Sequence, residues 1–161
     1  WNTVGAGLLG FSINTPIALY YMQGLNMTAA HGHAALFGVY GMLGIGLMLF
    51  CLRGLSAGYG WSDSLLRPTF WLLNIGLAMM VFMSLVPAGI YQAHASITTG
   101  MWYARSAEFV HSSFMETMVW LRVPGDIVFA FGTLFLGLFA WRLLRSGRDP
   151  QAVAEGAPIR A

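Results

Sequence analysis

Two histidines separated by a single glycine open a long apolar run, Thr28-Ala29-Ala30-His31-Gly32-His33-Ala34-Ala35-Leu36-Phe37-Gly38-Val39-Tyr40. From Met27 to Leu52 there is no Lys, Arg, Asp or Glu. That is more than the ~20 apolar residues a membrane-spanning helix needs. Ionisable side chains at membrane depth are costly and by default functional. Imidazole is a metal ligand, and its spacing here decides how it can be used. On an α-helix, positions i and i+2 lie about 200° apart around the axis. His31 and His33 therefore face opposite sides of one helix and cannot close on a single metal. Each can hold a different cofactor on its own flank.

The two faces differ. On the His31 side follow Ala34, Ala35, Gly38, Met42 and Ile45, small near the histidine and leaving room for a flat macrocycle. On the His33 side follow Phe37, Tyr40 and Gly44, with aromatics available to pack against a ring. Haem, commonly held by an axial imidazole, suits both flanks. The competing reading is that both histidines hydrogen-bond to neighbouring helices and the small residues only let helices approach closely. An isolated His-x-His leaves both readings open.

Composition bounds the class. The chain is 57% hydrophobic and 9% charged, where soluble domains carry about 25% charged residues. This excludes an ordinary soluble domain. All eight basic residues are Arg, most of them near expected helix ends, and the net charge is only +2. A nucleic-acid partner is not indicated. The single cysteine, Cys51, excludes a disulfide framework and reads as a small apolar filler. The chain opens at Trp1 inside an apolar segment, with no charged leader and cleavage site. The expectation is the carboxy-terminal piece of a larger polytopic protein.

The elements that must position the histidines follow from hydropathy. The expected fold is all-α, a polytopic transmembrane helix bundle of about four spans, over residues 4–23, 28–53, 68–91 and 122–145. Together they make one region, 1–146, followed by a disordered tail, 147–161. Pro16 should kink the first span. Asn26 or Thr28 can cap the histidine helix, and Pro68 suits a first helical turn. Residues 92–122 hold His94, Arg105, Glu108, His111, Glu116 and Arg122 and read as a helix lying at the interface or an extension of the fourth span, the plainer account being an amphipathic connector with solvated charges. Arg53, Arg67, Arg142, Arg145 and Arg148 fall at one side of the bundle, Arg105 and Arg122 at the other. The positive-inside rule puts the first group in the cytoplasm and the histidine pair near the outer face, periplasmic in a bacterium.

With its flanks, the His-Gly-His segment from Thr28 to Gly41 resembles the haem-bearing tenth core helix of bacterial nitric oxide reductases, members of the haem–copper oxidase superfamily. Asn14-Thr15-Pro16-Ile17 with Tyr20-Tyr21 is similar to the end of the preceding helix. Arg122-Val123-Pro124-Gly125-Asp126 favours the single-chain, quinol-dependent branch. The resemblance runs to about Arg145, with the later spans less distinctive.

The resemblance implies that these helices belong to a larger bundle of about twelve to fourteen helices in the bacterial inner membrane, with the tail cytoplasmic. It implies that His31 is the axial ligand of a high-spin haem b3 and His33 an axial ligand of a low-spin haem b. It also implies a non-haem iron, whose three histidines and glutamate are not in this chain. His94 and His111 match no ligand position. The implied reaction is reduction of two nitric oxide molecules to nitrous oxide and water, with quinol as donor. The implied partners are the remainder of the enzyme, the lipid membrane and a second copy in a homodimer. Asp126 carries two readings: a base that accepts a quinol proton, or a helix pair with Arg122 at i and i+4. A terminal oxygen reductase, or a non-catalytic dihaem electron-transfer anchor, would use the same two histidines.

Overall fold

The computed structural model describes residues 1–56 and 60–146, and the expected tail, 147–161, lies outside them. Among the described residues there are helices and turns and no strand. π-Helical Asn2–Leu8 runs into Leu9–Asn14, together α1, and α2 is Pro16–Met22. The long helices are α3, Asn26–Leu55, and α4, Asp63–Thr98. A 3-10 turn at Tyr103–Arg105 and a single helical turn at Ala107–Val110 lead to α5, Ser113–Trp120, and α6, Val123–Ser146.

Three stretches are long and apolar enough to cross a membrane: α3, α4, and α5 with α6 taken together as Ser113–Ser146. The first expected span, 4–23, is instead two helical pieces. Thr15 stands between them with ψ 140°, an extended residue. The ring of Pro16 disfavours helical backbone at the residue before it, and Pro16 itself then starts α2 without needing an N–H partner. The connector expected from residue 92 begins only after Thr98, because α4 continues that far and carries His94. At 36 residues α4 is about 54 Å long, well beyond a hydrocarbon core of about 30 Å. It keeps Pro87 by passing through a π-helical stretch, Met80–Leu85, immediately before it, where the backbone ladder is already shifted.

The core lies on α4. Gly76 meets α6 so closely that a Cβ there would fall 2.6 Å from the Phe129 backbone nitrogen. From α6, Gly125 and Gly132 approach Met80 and Leu73 in the same way, each with Cβ space of only 2.9 Å to backbone nitrogen. Two turns further, Phe139 is fully buried. Positions 125, 132 and 139 repeat every seven residues and make one seam. Backbone contact through small residues is how helices associate where no hydrophobic drive separates protein from lipid. The seven-residue spacing is that of helices with nearly aligned axes, and the pairs Gly125–Met80 and Gly132–Leu73 show that these two run antiparallel.

A second crossing brings the start of α3 onto α4 at Gly89, whose Cβ would meet the Met27 nitrogen at 2.5 Å. Much of the outer surface of α3 and α6 is apolar and exposed, Phe50, Leu55 and Trp141 among it. In a membrane that surface faces lipid or further helices.

Candidate functional site

His31 lies in the second turn of α3, and its Nδ1 is 3.0 Å from the Gly5 carbonyl oxygen of α1. A carbonyl only accepts, so Nδ1 carries a proton, and in the neutral ring the lone pair is on Nε2. Gly10 of α1 makes room for the ring, since a Cβ there would fall 2.8 Å from Cε1.

His33 reaches the same tautomer by a different route. Its Nδ1 is 2.8 Å from the Ala29 carbonyl one turn back. Its Nε2 is 3.1 Å from Nη2 of Arg122. A guanidinium has donors and no acceptor, so Nε2 must be accepting. Two independent bonds thus agree on Nδ1–H, with the Nε2 lone pair taken up by Arg122. Arg122 also donates from Nε to Asp126 Oδ1 at 3.4 Å, so that His33, Arg122 and Asp126 form one polar line at the start of α6.

The two rings turn to different neighbours, His31 to α1 and His33 to Arg122. Residues further along α3 keep the same division. Trp1 packs on Gly38, while Phe37 meets Phe129 of α6 edge to face at 4.8 Å between centroids. The expectation that Ala34 and Gly38 leave room for a macrocycle is corrected. Gly5 stands against Ala34, where a Cβ would come within 2.7 Å of the alanine Cβ, and the Trp1 ring covers Gly38. Close packing by α1 occupies that space. Open volume lies further along, in an apolar cavity of about 350 Å³ lined by Met42, Ile45, Leu73, Asn74 and Trp1.

The donor set fits axial haem ligation. A ligating histidine usually donates its other ring N–H to a carbonyl or carboxylate, which fixes the tautomer and the ring orientation. Both histidines are held that way. Neutral imidazole nitrogen is a good iron ligand. Among the described residues no three His, Cys, Asp or Glu side chains come together to chelate a bare metal ion.

The remaining titratable residues stay apart from this arrangement. His94 is exposed near the end of α4. His111 stands 3.7 Å from Glu116, with both side chains largely in the open. Cys51 is exposed on the last turns of α3. Asp126 pairs with Arg122, as a helix neighbour should, and also lines an open apolar groove with Phe129, Thr133 and Trp141 along α6.

Sequence reasoning missed the side chains that hold the histidine helix in place. Neither Asn26 nor Thr28 caps it, since the helix begins at Asn26 itself and no local side chain bonds its first amides. Buried Gln92 of α4 does so from outside, its Oε1 accepting from Asn26 N at 2.9 Å and from Asn26 Nδ2 at 2.8 Å. Ser96 donates to the Tyr21 carbonyl at 2.8 Å and Arg105 to the Gln23 carbonyl at 2.6 Å. The turn that feeds α3 is thereby tied at three points. The available signal was polar residues in an apolar helix at 92 and 96, one turn apart on one face.

Residues 1–128 match the model of the family described as cytochrome c and quinol oxidase polypeptide I. The chain belongs to this family. The matched segment contains both histidines, Arg122 and Asp126. The chain is also 32% identical, over 96% of its length, to a nitric oxide reductase subunit of Stutzerimonas stutzeri. It spans about a third, 32%, of that relative's own length. Family membership agrees with the all-helical architecture and with helices able to cross a membrane.

Proposed function

We propose that this chain is the haem-bearing part of a membrane respiratory oxidoreductase that reduces nitric oxide to nitrous oxide with electrons from quinol. The observation that carries the haem assignment is the pair of imidazoles on one helix, turned to different neighbours, each with Nδ1–H committed to a carbonyl. Likeness to a nitric oxide reductase supports the choice of substrate. In this reading His33 is an axial ligand of low-spin haem b, and His31 is the axial ligand of high-spin haem b3. The non-haem iron takes its ligands from outside this chain. The haems supply one-electron redox chemistry when bound, and the protein supplies ligation, orientation and electrostatics.

The chain's own residues then have definite tasks. The Gly5 and Ala29 carbonyls hold the two rings at fixed tautomers. One lone pair cannot serve both Arg122 and a metal, so ligation by His33 leaves the guanidinium to Asp126, already 3.4 Å away. In this reading Asp126, which lines the apolar groove, accepts a hydrogen bond from a quinol hydroxyl and then its proton. The overall conversion takes two nitric oxide molecules, two electrons and two protons to nitrous oxide and water. The enzyme works in the bacterial inner membrane, with the histidine end of α3 toward the periplasm.

The test is haem spectroscopy on the purified full-length enzyme. His33→Ala should abolish the low-spin bis-imidazole optical signal. His31→Ala should retain that signal and lose nitric oxide turnover. Equal spectral losses in both variants would refute the separate assignments. A second reading, terminal oxygen reduction, is favoured by the oxidase description of the family. Comparing nitric oxide and oxygen consumption by the same preparation decides between them.

A further inference from the structure

We propose that Gln92 is a positioning residue for His33, acting through the first turn of α3. The inference rests on the reading of His33 as a haem ligand. Four links carry it. Gln92 is 6% exposed on α4 and spends its oxygen on Asn26, through both the backbone N–H and the side-chain amide. Its own amide donates to the Ala104 carbonyl at 3.2 Å, which fixes which end of the side chain faces Asn26. Asn26 begins the helix, and Ala29 closes its first turn. The Ala29 carbonyl accepts both the backbone N–H of His33 and its ring Nδ1–H.

The first amides of a helix have no partner within it, and ends left unsatisfied fray. No side chain local to this end caps it. Gln92 supplies the missing acceptor from another helix, where Gly89, one turn earlier on α4, lets the two backbones approach. Fraying of this turn moves the Ala29 carbonyl and with it the plane of the His33 ring. The His31 ring has a separate anchor on another helix, because its Nδ1 partner is Gly5 on α1. A positioning role therefore predicts an unequal effect on the two histidines, whereas a merely structural role loosens both.

The experiment uses the full-length enzyme with Gln92→Met, which keeps the volume and removes every hydrogen bond. Ser84→Ala is the comparison. It also deletes a buried side chain-to-backbone bond from α4, to the Met118 carbonyl at 2.7 Å, but touches neither histidine. The readouts are thermal stability, the electron paramagnetic resonance signal of the low-spin haem, whose g-values follow axial imidazole orientation, and the spectrum of the high-spin haem. Both variants should lower the melting temperature. Gln92→Met alone should shift and broaden the low-spin signal and leave the high-spin haem unchanged. An unshifted low-spin signal in Gln92→Met, or equal disturbance of both haems, overturns the proposal. If Gln92→Met does not accumulate, Asn26→Ala, which removes only one of the two bonds, carries the same prediction with a smaller shift. Failure of the underlying haem reading shows separately, as a low-spin signal that survives His33→Ala.

Discussion

At the scale of single residues, the Nδ1 hydrogen bonds of His31 and His33 prepare ligation, while the Arg122 bond to His33 Nε2 would have to yield to it. The sequence left two readings, ligands or hydrogen-bonded helix contacts. The structure shows hydrogen bonds, yet both use Nδ1 and a carbonyl. That turns Nε2 of each ring toward an iron ligand's role, with Arg122 holding the Nε2 of His33 in its place. Asp126 is resolved less sharply by geometry, because its bond to Arg122 and its place on the groove coexist. An exposed i,i+4 pair contributes only about 0.3–0.5 kcal/mol, so its loss alone should leave the enzyme folded. Asp126→Ala is therefore expected to retain full haem content and to cut quinol-driven turnover by an order of magnitude or more. Turnover with an artificial donor that reduces the low-spin haem directly should persist. Equal loss of both activities assigns Asp126 to another step.

What was legible at this scale follows from how a residue is used. The histidines announce themselves because imidazole is costly in a charge-free run. Gln92 does not, because its partner lies 66 positions away and a glutamine in an apolar helix reads the same whether it caps a neighbour or lines a cavity. Arg122 was read as the partner of Asp126 from i,i+4 spacing. Its contact with His33 spans 89 positions and has no local pattern.

At the scale of elements, hydropathy marks the apolar runs because each is long and free of charge, while hydrogen-bond register inside them is invisible to it. The π-helical stretches at His33–Gly41 and Met80–Leu85 leave no mark in the sequence beyond Pro87. The broken first span was half legible: Pro16 signals a distortion, but only the backbone shows that Thr15 becomes extended. The seam between α4 and α6 was written in its glycines, at 125 and 132, and needed Gly76 opposite to be read as a contact. A methyl added at Gly76 would meet Phe129 backbone, which cannot rotate away as a side chain could. Overpacking of this kind costs about 1–3 kcal/mol. Gly76→Ala should lower the melting temperature of the detergent-solubilised enzyme by several degrees. Gly54→Ala, with nothing near its Cβ position, should leave it nearly unchanged.

At the scale of the whole molecule, the polar residues separate into two ends with different work. One end gathers Arg53 over the Trp61 ring, Arg67 in the opening turns of α4, and Arg142 beside Ser62 near Gly60 and Ser146. At the other end, Arg105 is held by the Met101 and Gln23 carbonyls and Arg122 by His33 and Asp126. Arginines tied to neighbouring carbonyls and side chains say little about topology, whereas the cluster at the Asp63 end of α4 follows the positive-inside rule. That end is therefore expected in the cytoplasm and the histidine end in the periplasm. Because α4 is about 54 Å long, both of its ends clear the hydrocarbon core. Exposed Ser64, in the first turn of α4, and exposed Thr99, the residue just past its last turn, mark those two ends. In cells with a permeabilised outer membrane, a membrane-impermeant thiol reagent should label Thr99→Cys above the level of the unsubstituted enzyme. Ser64→Cys should label only after the inner membrane is opened. The reverse pattern would invert the orientation and place both histidines near the cytoplasmic face.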